Sequence, residues 1–283
     1  MATRVHPGYM GYAQIGGFSN AVRFTDANIA AKQDINIPDL VMGHWNRNAY
    51  TYNAIDVSGS ISGPVTETFA DGDDSLWGWG WNRGDCGELE GNDVTLFYFC
   101  GENGGKSRNF GDLYVNSLSF SCSAGDLAQF SLDVTGKAAS DWGGYGGPQT
   151  HEEKLVTWDH VGVTVTNEQH QTFGEDAFSS FEFTINNNLE VVYAIHETAN
   201  YFPFDIVPGL RTITGSLSVY NIPGSEGANA YTAFQADGYG RITFNVGGGE
   251  QSANVRFHRV EPTLSASPII STVGFTGVGN QGE

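Results

Sequence analysis

The sequence predicts an all-β protein: two tandem β-rich domains, each with one short helical piece. Three observations predict it. Charged residues make up only 16% of the chain, aromatics reach 13%, and glycine accounts for 38 of 283 residues. An ordinary soluble domain is about 25% charged, and abundant aromatics and turn-forming glycines suit strands joined by turns. Period-two alternation of apolar and polar residues recurs along the chain, while helical periodicity is scarce. A strand pattern near residue 57 also returns near residue 213, followed by the same order of elements.

The elements follow in chain order. Residues 50–62 place Ile55, Val57 and Ile61 on one face and Asp56, Ser58, Ser60 and Ser62 on the other, as a half-buried strand requires. A weak helix is expected over 74–81. On a strand Trp77, Trp79 and Trp81 would share one face and could form a platform for sugar rings. On a helix Trp77 and Trp81 would share a face and pack inward. Strands follow at 94–99, 113–122 and 128–135. Residues 136–150 (GKAASDWGGYGGPQT) have no periodicity, and their glycines and Pro148 read as an inter-domain linker. In the second half, strands are expected at 178–185, 211–220, 241–246, 253–260 and 269–275. Residues 225–236 form the best helix candidate: Ser225 can cap it, and Ala230, Ala233 and Phe234 share a face.

Val57-Ser-Gly59-Ser-Ile61-Ser matches Ile213-Thr-Gly215-Ser-Leu217-Ser position for position. After each come a loop, a short helical piece, an apolar strand and two long strands, ending at Gly136 in one half and Gly277 in the other. We therefore read a duplication, with domains at 1–137 and 153–283 joined by a Gly-rich linker at 138–152. Two domains of this size are ordinary for a 283-residue chain.

Chemistry is sparse. The net charge is −19, spread evenly: residues 1–150 carry 8 basic and 17 acidic residues, and residues 151–283 carry 5 and 15. That field disfavours a tight grip on nucleic acid or an anionic membrane. No apolar run approaches the ~20 residues of a membrane span, and no secretory leader is expected at the start. The seven histidines lack metal-ligand spacing, and the acidic turn at 71–74 lacks the pattern of a calcium loop. Cys86, Cys100 and Cys122 read as reduced thiols. No G-x-S-x-G elbow and no P-loop is present. Neither an enzyme nor a cofactor or metal is expected.

The runs Phe178-Ser-Ser-Phe-Glu-Phe-Thr-Ile-Asn-Asn-Asn-Leu-Glu-Val-Val-Tyr-Ala-Ile195 and Phe204-Asp-Ile-Val-Pro-Gly-Leu-Arg-Thr-Ile-Thr-Gly-Ser-Leu-Ser-Val219 resemble the tail tube (major tail) proteins of long-tailed bacteriophages. There a strand leads into an NNNLE turn, a long loop and a PG.R.ITGS strand. The specific match covers about residues 178–219. Residues 156–283 and 45–137 follow the looser order of elements, and the first half has no NNNLE turn.

The resemblance implies β-sandwich domains whose strands join those of neighbours in a ring-shaped inner β-barrel. Stacked rings, trimeric with pseudo-sixfold symmetry or hexameric, would conduct the genome to the host without binding it. It implies partners in other copies of the chain, in tape-measure, tail terminator and baseplate or tip proteins, and in a sheath where the tail contracts. It places the protein in the virion tail, after assembly in the host cytoplasm. Ring-stacking candidates are Trp45, in the long loop 25–48, and Tyr201, Phe202 and Phe204, bunched around Pro203 in the loop 198–208. Strand parity nominates Asp56 and Glu182 for an acidic channel wall. The alternative is a carbohydrate- or receptor-binding β-sandwich resting on the tryptophan cluster and the acidic turn at 71–74.

Overall fold

The computed structural model describes residues 12–16, 22–36, 51–66, 75–81, 88–98, 106–141, 143–144, 154–195, 201–222, 224–246, 249–258 and 270–278. The first half contains strands β1 (Tyr12–Ile15), β2 (Val22–Arg23), β3 (Asp26–Ala27), β4 (Ala30–Asn36) and β5 (Thr51–Pro64). Helix α1 (Leu76–Trp81) follows, then β6 (Asn92–Tyr98), β7 (Lys106–Ser123), β8 (Gln129–Ala139) and β9 (Gly143–Gly144). The second half contains β10 (Val161–Asn167), β11 (Thr172–Phe173), β12 (Phe178–Asn186), β13 (Glu190–Val192), β14 (Asp205–Val207) and β15 (Thr212–Tyr220). Helix α2 (Glu226–Asp237), β16 (Tyr239–Val246), β17 (Gly249–Phe257) and β18 (Ile270–Gly277) complete it.

All strand pairings are antiparallel, and among the described residues one sixteen-stranded sheet holds every strand except the β13–β14 ribbon. The first half runs β4-β5-β8-β7-β6-β1-β2, with β3 also on β5. The second runs β12-β15-β18-β17-β16-β10-β11. Both halves thus use one strand order, with β5 standing where β15 stands and β4 where β12 stands. The halves meet edge to edge: β12 pairs with the C-terminal part of β7, Phe183 opposite Phe120 and Thr184 opposite Ser119.

Inward-facing residues of both halves form one core. Helix α1 lies over the seam. Its Trp77 ring meets Phe120 of β7 edge-on at 5.7 Å and Phe183 of β12 at 5.2 Å, and stacks on Trp81 at 5.9 Å. Such aromatic pairs contribute about 0.5–1.5 kcal/mol each beyond area burial. Phe183 also packs on Phe244 of β16 at 4.5 Å, tying the seam to a strand further along the second half. Both helices start on a serine: Ser75 Oγ accepts from Gly78 N–H at 3.0 Å, and Ser225 Oγ from Ala228 N–H at 3.2 Å. Gly238, at φ 71°, ends α2 in the left-handed conformation.

Several expectations shift. The helical reading of the tryptophans holds, and Trp77, Trp79 and Trp81 are 2, 5 and 7% exposed, so they offer no platform to a sugar. Residues expected to form a long loop from 25 onward include β3 and β4, which pair along β5. Mixed polar composition hid that strand pairing. Gly136, read as the start of an unstructured stretch, lies inside β8. A Cβ there would displace the tip of the buried Leu113 side chain, which packs over the glycine. Gly143 and Gly144 pair with Ser107 and Lys106.

A candidate lining face, a latched arm and two apolar ends

Alternation along β5, β8, β7, β12, β15 and β18 sends one set of side chains to the core and the other to a common outer face. That face is built from hydroxyls. Ser60 of β5 lies opposite Asp133 of β8, and Ser117 of β7 on the other side of Asp133. Ser119 pairs with Thr184 of β12, Thr184 with Thr214 of β15, and Ser218 with Thr272 of β18. Hydroxyls bridge the strands: Ser119 Oγ and Thr184 Oγ1 are 2.8 Å apart, and Ser218 Oγ and Thr272 Oγ1 3.3 Å. Each such cross-strand pair is worth about 0.2–1 kcal/mol.

The charges on this face are mostly carboxylates. Asp56 is exposed, accepts from Ser58 Oγ at 2.7 Å and lies across from Lys32 of β4. Glu182 is exposed between Ser121 and Ser216. Both acids nominated by strand parity therefore share the hydroxyl face. Asp133, which sequence reasoning missed, belongs with them and accepts from Ser117 Oγ at 2.7 Å. Its signal was available, since Ser131-Leu132-Asp133-Val134 alternates as residues 55–62 do.

Between β12 and β15 the chain leaves the sheet as an arm whose base is built by three asparagines. Asn186 Oδ1 accepts from Asn188 N–H at 2.9 Å. The Asn187 side chain is buried, donates to Val115 C=O at 2.9 Å and accepts from Arg211 Nε at 3.0 Å. Asn188 adopts φ 49°, a conformation asparagine tolerates, and donates to Leu210 C=O at 2.6 Å. Gly209 closes the base: a Cβ there would fall 2.5 Å from Asn188 C=O. The motif at 186–190 and 208–211 is thus the root of the arm, which carries the ribbon β13–β14.

The arm folds down onto the first half. Ile55 N–H donates to Tyr201 C=O at 2.7 Å, and Tyr193 Oη to Ile55 C=O at 3.2 Å. Lys137 Nζ meets Asp205 Oδ1 at 2.7 Å. The Lys137 ammonium also sits 5.2 Å from the Tyr114 ring centroid. Partial burial pulls the Lys137 pKa down, but the hydrogen bonds and charges of Asp205 and Tyr114 outweigh it and leave it raised. The hydrogen bond from Lys137, with that from Ile206 N–H, holds the Asp205 carboxyl below the usual range. Burial, then the Asp56 charge, raises the Tyr193 phenol.

The bunched aromatics of the arm separate. Tyr201 and Phe202 are half-buried, Phe202 against the core, and Pro203 is buried, while Phe204 is 61% exposed. Trp45 lies outside the described residues.

The strands β12 and β15 have two distinct ends. At the arm end the exposed large apolar side chains are Val192, Tyr193, Ile195, Phe204, Val207 and Leu210. At the other end they are Leu127, Leu155, Trp158, Ile222 and Ile270. Leu127 bridges to Thr157, Leu155 to Thr66 beyond β5, and Ile270 pairs with Tyr220 at the end of β15. Among the described residues, Tyr239 is the one exposed large apolar residue outside these groups; Arg256 lies over its ring at 5.5 Å.

The second end holds a cavity of about 340 Å³ bounded by Cys122, Ala124, Trp158, Phe178, Phe181 and Tyr220, with Asp159 and Asp176 also at its wall. Burial, then the Asp126 charge, pushes the Cys122 thiol up to about 11. The Thr157 hydroxyl holds the Asp159 carboxyl low. Among the described residues no group of three or more histidine, cysteine or acidic side chains could hold a metal ion.

Compared with protein-family models, the chain matches the one described as phage tail tube protein over residues 51–277. No curated protein matches it.

Proposed function

The chain belongs to the phage tail tube protein family, which makes it a structural component of a virion tail, and we propose that its copies close head to tail into rings around a DNA-conducting channel. One observation carries the reading. In the second half, β12 is covered on both edges, by β15 and by β7. In the first half, β3 and β4 stand in the same place beside β5, yet among the described residues their other edge has no strand. The junction inside the chain is therefore the pattern for a junction between chains: the β3–β4 edge of one copy receives the second half of the next. A closed ring removes the open edge, which is otherwise an aggregation hazard.

In this reading each half is one tube domain of a duplicated chain, so three chains give a pseudo-sixfold ring. The two halves share one strand order, cap both helices on serine and keep a glycine at 59 and 215. The hydroxyl face with Asp56, Asp133 and Glu182 lines the channel. Duplex DNA carries one negative charge per about 1.7 Å of axis. A wall of neutral hydroxyls with scattered carboxylates holds it off while offering no cation cluster on which it could stall. Tape-measure, terminator and baseplate proteins contact the finished tube, which assembles in the host cytoplasm before joining the virion.

The test uses consecutive edge positions. In a strand successive N–H groups point to opposite sides, so of Ala30→Pro and Ala31→Pro one blocks the outer edge while sparing β5. Native mass spectrometry and negative-stain microscopy should show rings for the unaltered chain and a folded monomer for that variant. Rings of normal symmetry from both folded variants refute the edge assignment. The carbohydrate-binding alternative loses its aromatic platform, since Trp77, Trp79 and Trp81 are buried; the acidic turn at 71–74 lies outside the described residues.

A further inference from the structure

We infer that the cavity beside Trp158 is a binding site for an aliphatic diamine, whose ammonium groups meet Asp159 and Asp176 and whose chain lies against the rings of Trp158, Phe178 and Tyr220. The site goes beyond the ring reading above and does not depend on it.

Elsewhere in the chain, rings and carboxylates find cations of the chain itself. Arg108 lies 5.1 Å from the Phe110 ring centroid, Lys137 5.2 Å from that of Tyr114 and Arg256 5.5 Å from that of Tyr239. Lys137 also meets Asp205 at 2.7 Å. The cavity offers both kinds of partner, yet no lysine or arginine lines it. Trp158 is 51% exposed. Among the described residues neither it nor Phe178 nor Tyr220 touches another ring or a cation, and Asp159 and Asp176 pair with no lysine or arginine. An aromatic face attracts a cation within about 6 Å of its centroid, and a carboxylate takes ammonium N–H in short, charge-assisted bonds. The missing group is therefore cationic.

The surrounding charges agree. The Thr157 hydroxyl donates to Asp159 and holds its carboxyl low, in the charged form. The Asp126 charge reaches Cys122 on the cavity wall. The nearest opposing group is the His160 ring, 3.3 Å from Asp159, which competes for that acid when protonated. The net charge of −19 gathers cations around the whole molecule.

Other ligand classes fit less well. A phosphate would meet carboxylates with no cation to oppose them. A calcium ion takes six to eight oxygen ligands, whereas here two acids stand among apolar rings. A quaternary ammonium satisfies the rings but brings no N–H to the carboxylates. A diamine supplies two ammonium ends for two acids and a methylene chain for the rings. The cavity, about 340 Å³, lies at the small end of the range for binding sites, about 300–1,000 Å³, which suits a short chain.

The experiment titrates putrescine into the full chain at pH 8 in about 0.15 M salt, which screens loose surface binding. Calorimetry should show one saturable site per chain, and the indole N–H signal of Trp158 should shift. Butanediol, the uncharged analogue, should do neither. Asp159→Asn, Asp176→Asn and Trp158→Leu change exposed residues. Each should weaken binding roughly fivefold or more, with circular dichroism unchanged. Binding that does not saturate, or that all three variants leave intact, spreads the diamine over the acidic surface and overturns the site. Choline binding as tightly as putrescine removes the carboxylates from recognition and overturns the ligand class. A capped lysine binding more tightly than putrescine makes the cavity a seat for a protein side chain and overturns the diamine assignment. All of these are read on the chain whether or not it forms rings, so failure of the ring reading is a separate result.

Discussion

Gly59 and Gly215 face the same kind of obstacle in the two halves of the chain: each lies directly against neighbouring backbone, Gly59 against Ile29 in the link between β3 and β4 and Gly215 against Phe183 of β12. A Cβ on Gly59 would fall 2.4 Å from Ile29 Cα, and one on Gly215 would fall 2.9 Å from Phe183 Cα and 2.3 Å from Glu182 C=O. The glycine in the repeated sequence pattern is thus a packing requirement in both halves, set by the β3–β4 link in one and by β12 in the other. Gly215→Ala, which also meets the Phe275 ring at 2.3 Å, should destabilise the fold by about 1–3 kcal/mol, the cost of overpacking a tight site. Gly59→Ala should cost a similar amount. Urea midpoints measure both, and an unchanged midpoint for either variant contradicts the close approach.

The Lys137–Asp205 pair latches the arm, and its pH dependence has a definite sign. Asp205 is depressed, so its contribution is present above the unfolded carboxylate value of about 3.9 and is lost as pH falls through the lower folded value. Lys137 is raised, so its contribution is full below the unfolded value of about 10.4 and is lost as pH rises through the folded one. The latch therefore holds across neutral pH. Because Asp205 is half exposed, Asp205→Asn should cost less than about 1 kcal/mol of global stability. The local effect is larger: the Ile55 amide, bonded to Tyr201 C=O, should exchange its hydrogen several-fold faster. Unchanged exchange in the variant would show that the two backbone bonds suffice.

Reversing the charge of the hydroxyl face should make a neutral wall adhesive. The triple variant Asp56→Lys, Asp133→Lys, Glu182→Lys replaces exposed carboxylates that the core does not need. Assembled tubes of this variant should retain short duplex DNA in a pull-down at low salt and release it as salt rises, since each neutralised phosphate adds about 0.9 to the log–log salt slope. Unaltered tubes should retain none. Equal recovery from both at low salt would place these residues away from the DNA path.

Cys122 should be a slow thiol despite bordering the cavity. With its pKa near 11, the thiolate fraction at pH 8 is about 0.001, against about a quarter for an unperturbed cysteine near 8.5. Its alkylation should run more than a hundredfold slower than that of a free cysteine, about the ratio of the two thiolate fractions, as read by mass mapping of iodoacetamide labelling. A rate near that of free cysteine would mean that the thiol is not buried against Asp126.

Much of the fold was readable along the chain because alternation is a local property. Val57 and Ile61 inward with Ser58 and Ser60 outward, or Ile213 and Leu217 inward with Thr214 and Ser216 outward, need no partner strand to be recognised. Ser225 was readable as a cap for the same reason. Asp56 and Glu182 could be assigned to an outer face by parity alone. The short strands β1 to β4 were not legible, because two to seven mixed residues carry little periodicity and their strand character comes from the strand beside them. Nor was the division of labour in the arm: Tyr201, Phe202 and Phe204 look alike in sequence, and only the backbone bond to Ile55 and the ion pair at Lys137 decide which of them turns inward.

What the sequence determined by itself was an all-β chain with a repeated order of elements, low charge and a hydroxyl-rich strand face, since composition and alternation fix which residues seek water. The tertiary structure decided which edges meet. It joined β12 to β7, left β3 and β4 with an open side, folded the arm across the seam and put a hollow at the opposite end. Those choices depend on contacts between residues more than sixty positions apart, such as Ser119 and Thr184, and no local pattern encodes which of several equally plausible strands will be neighbours.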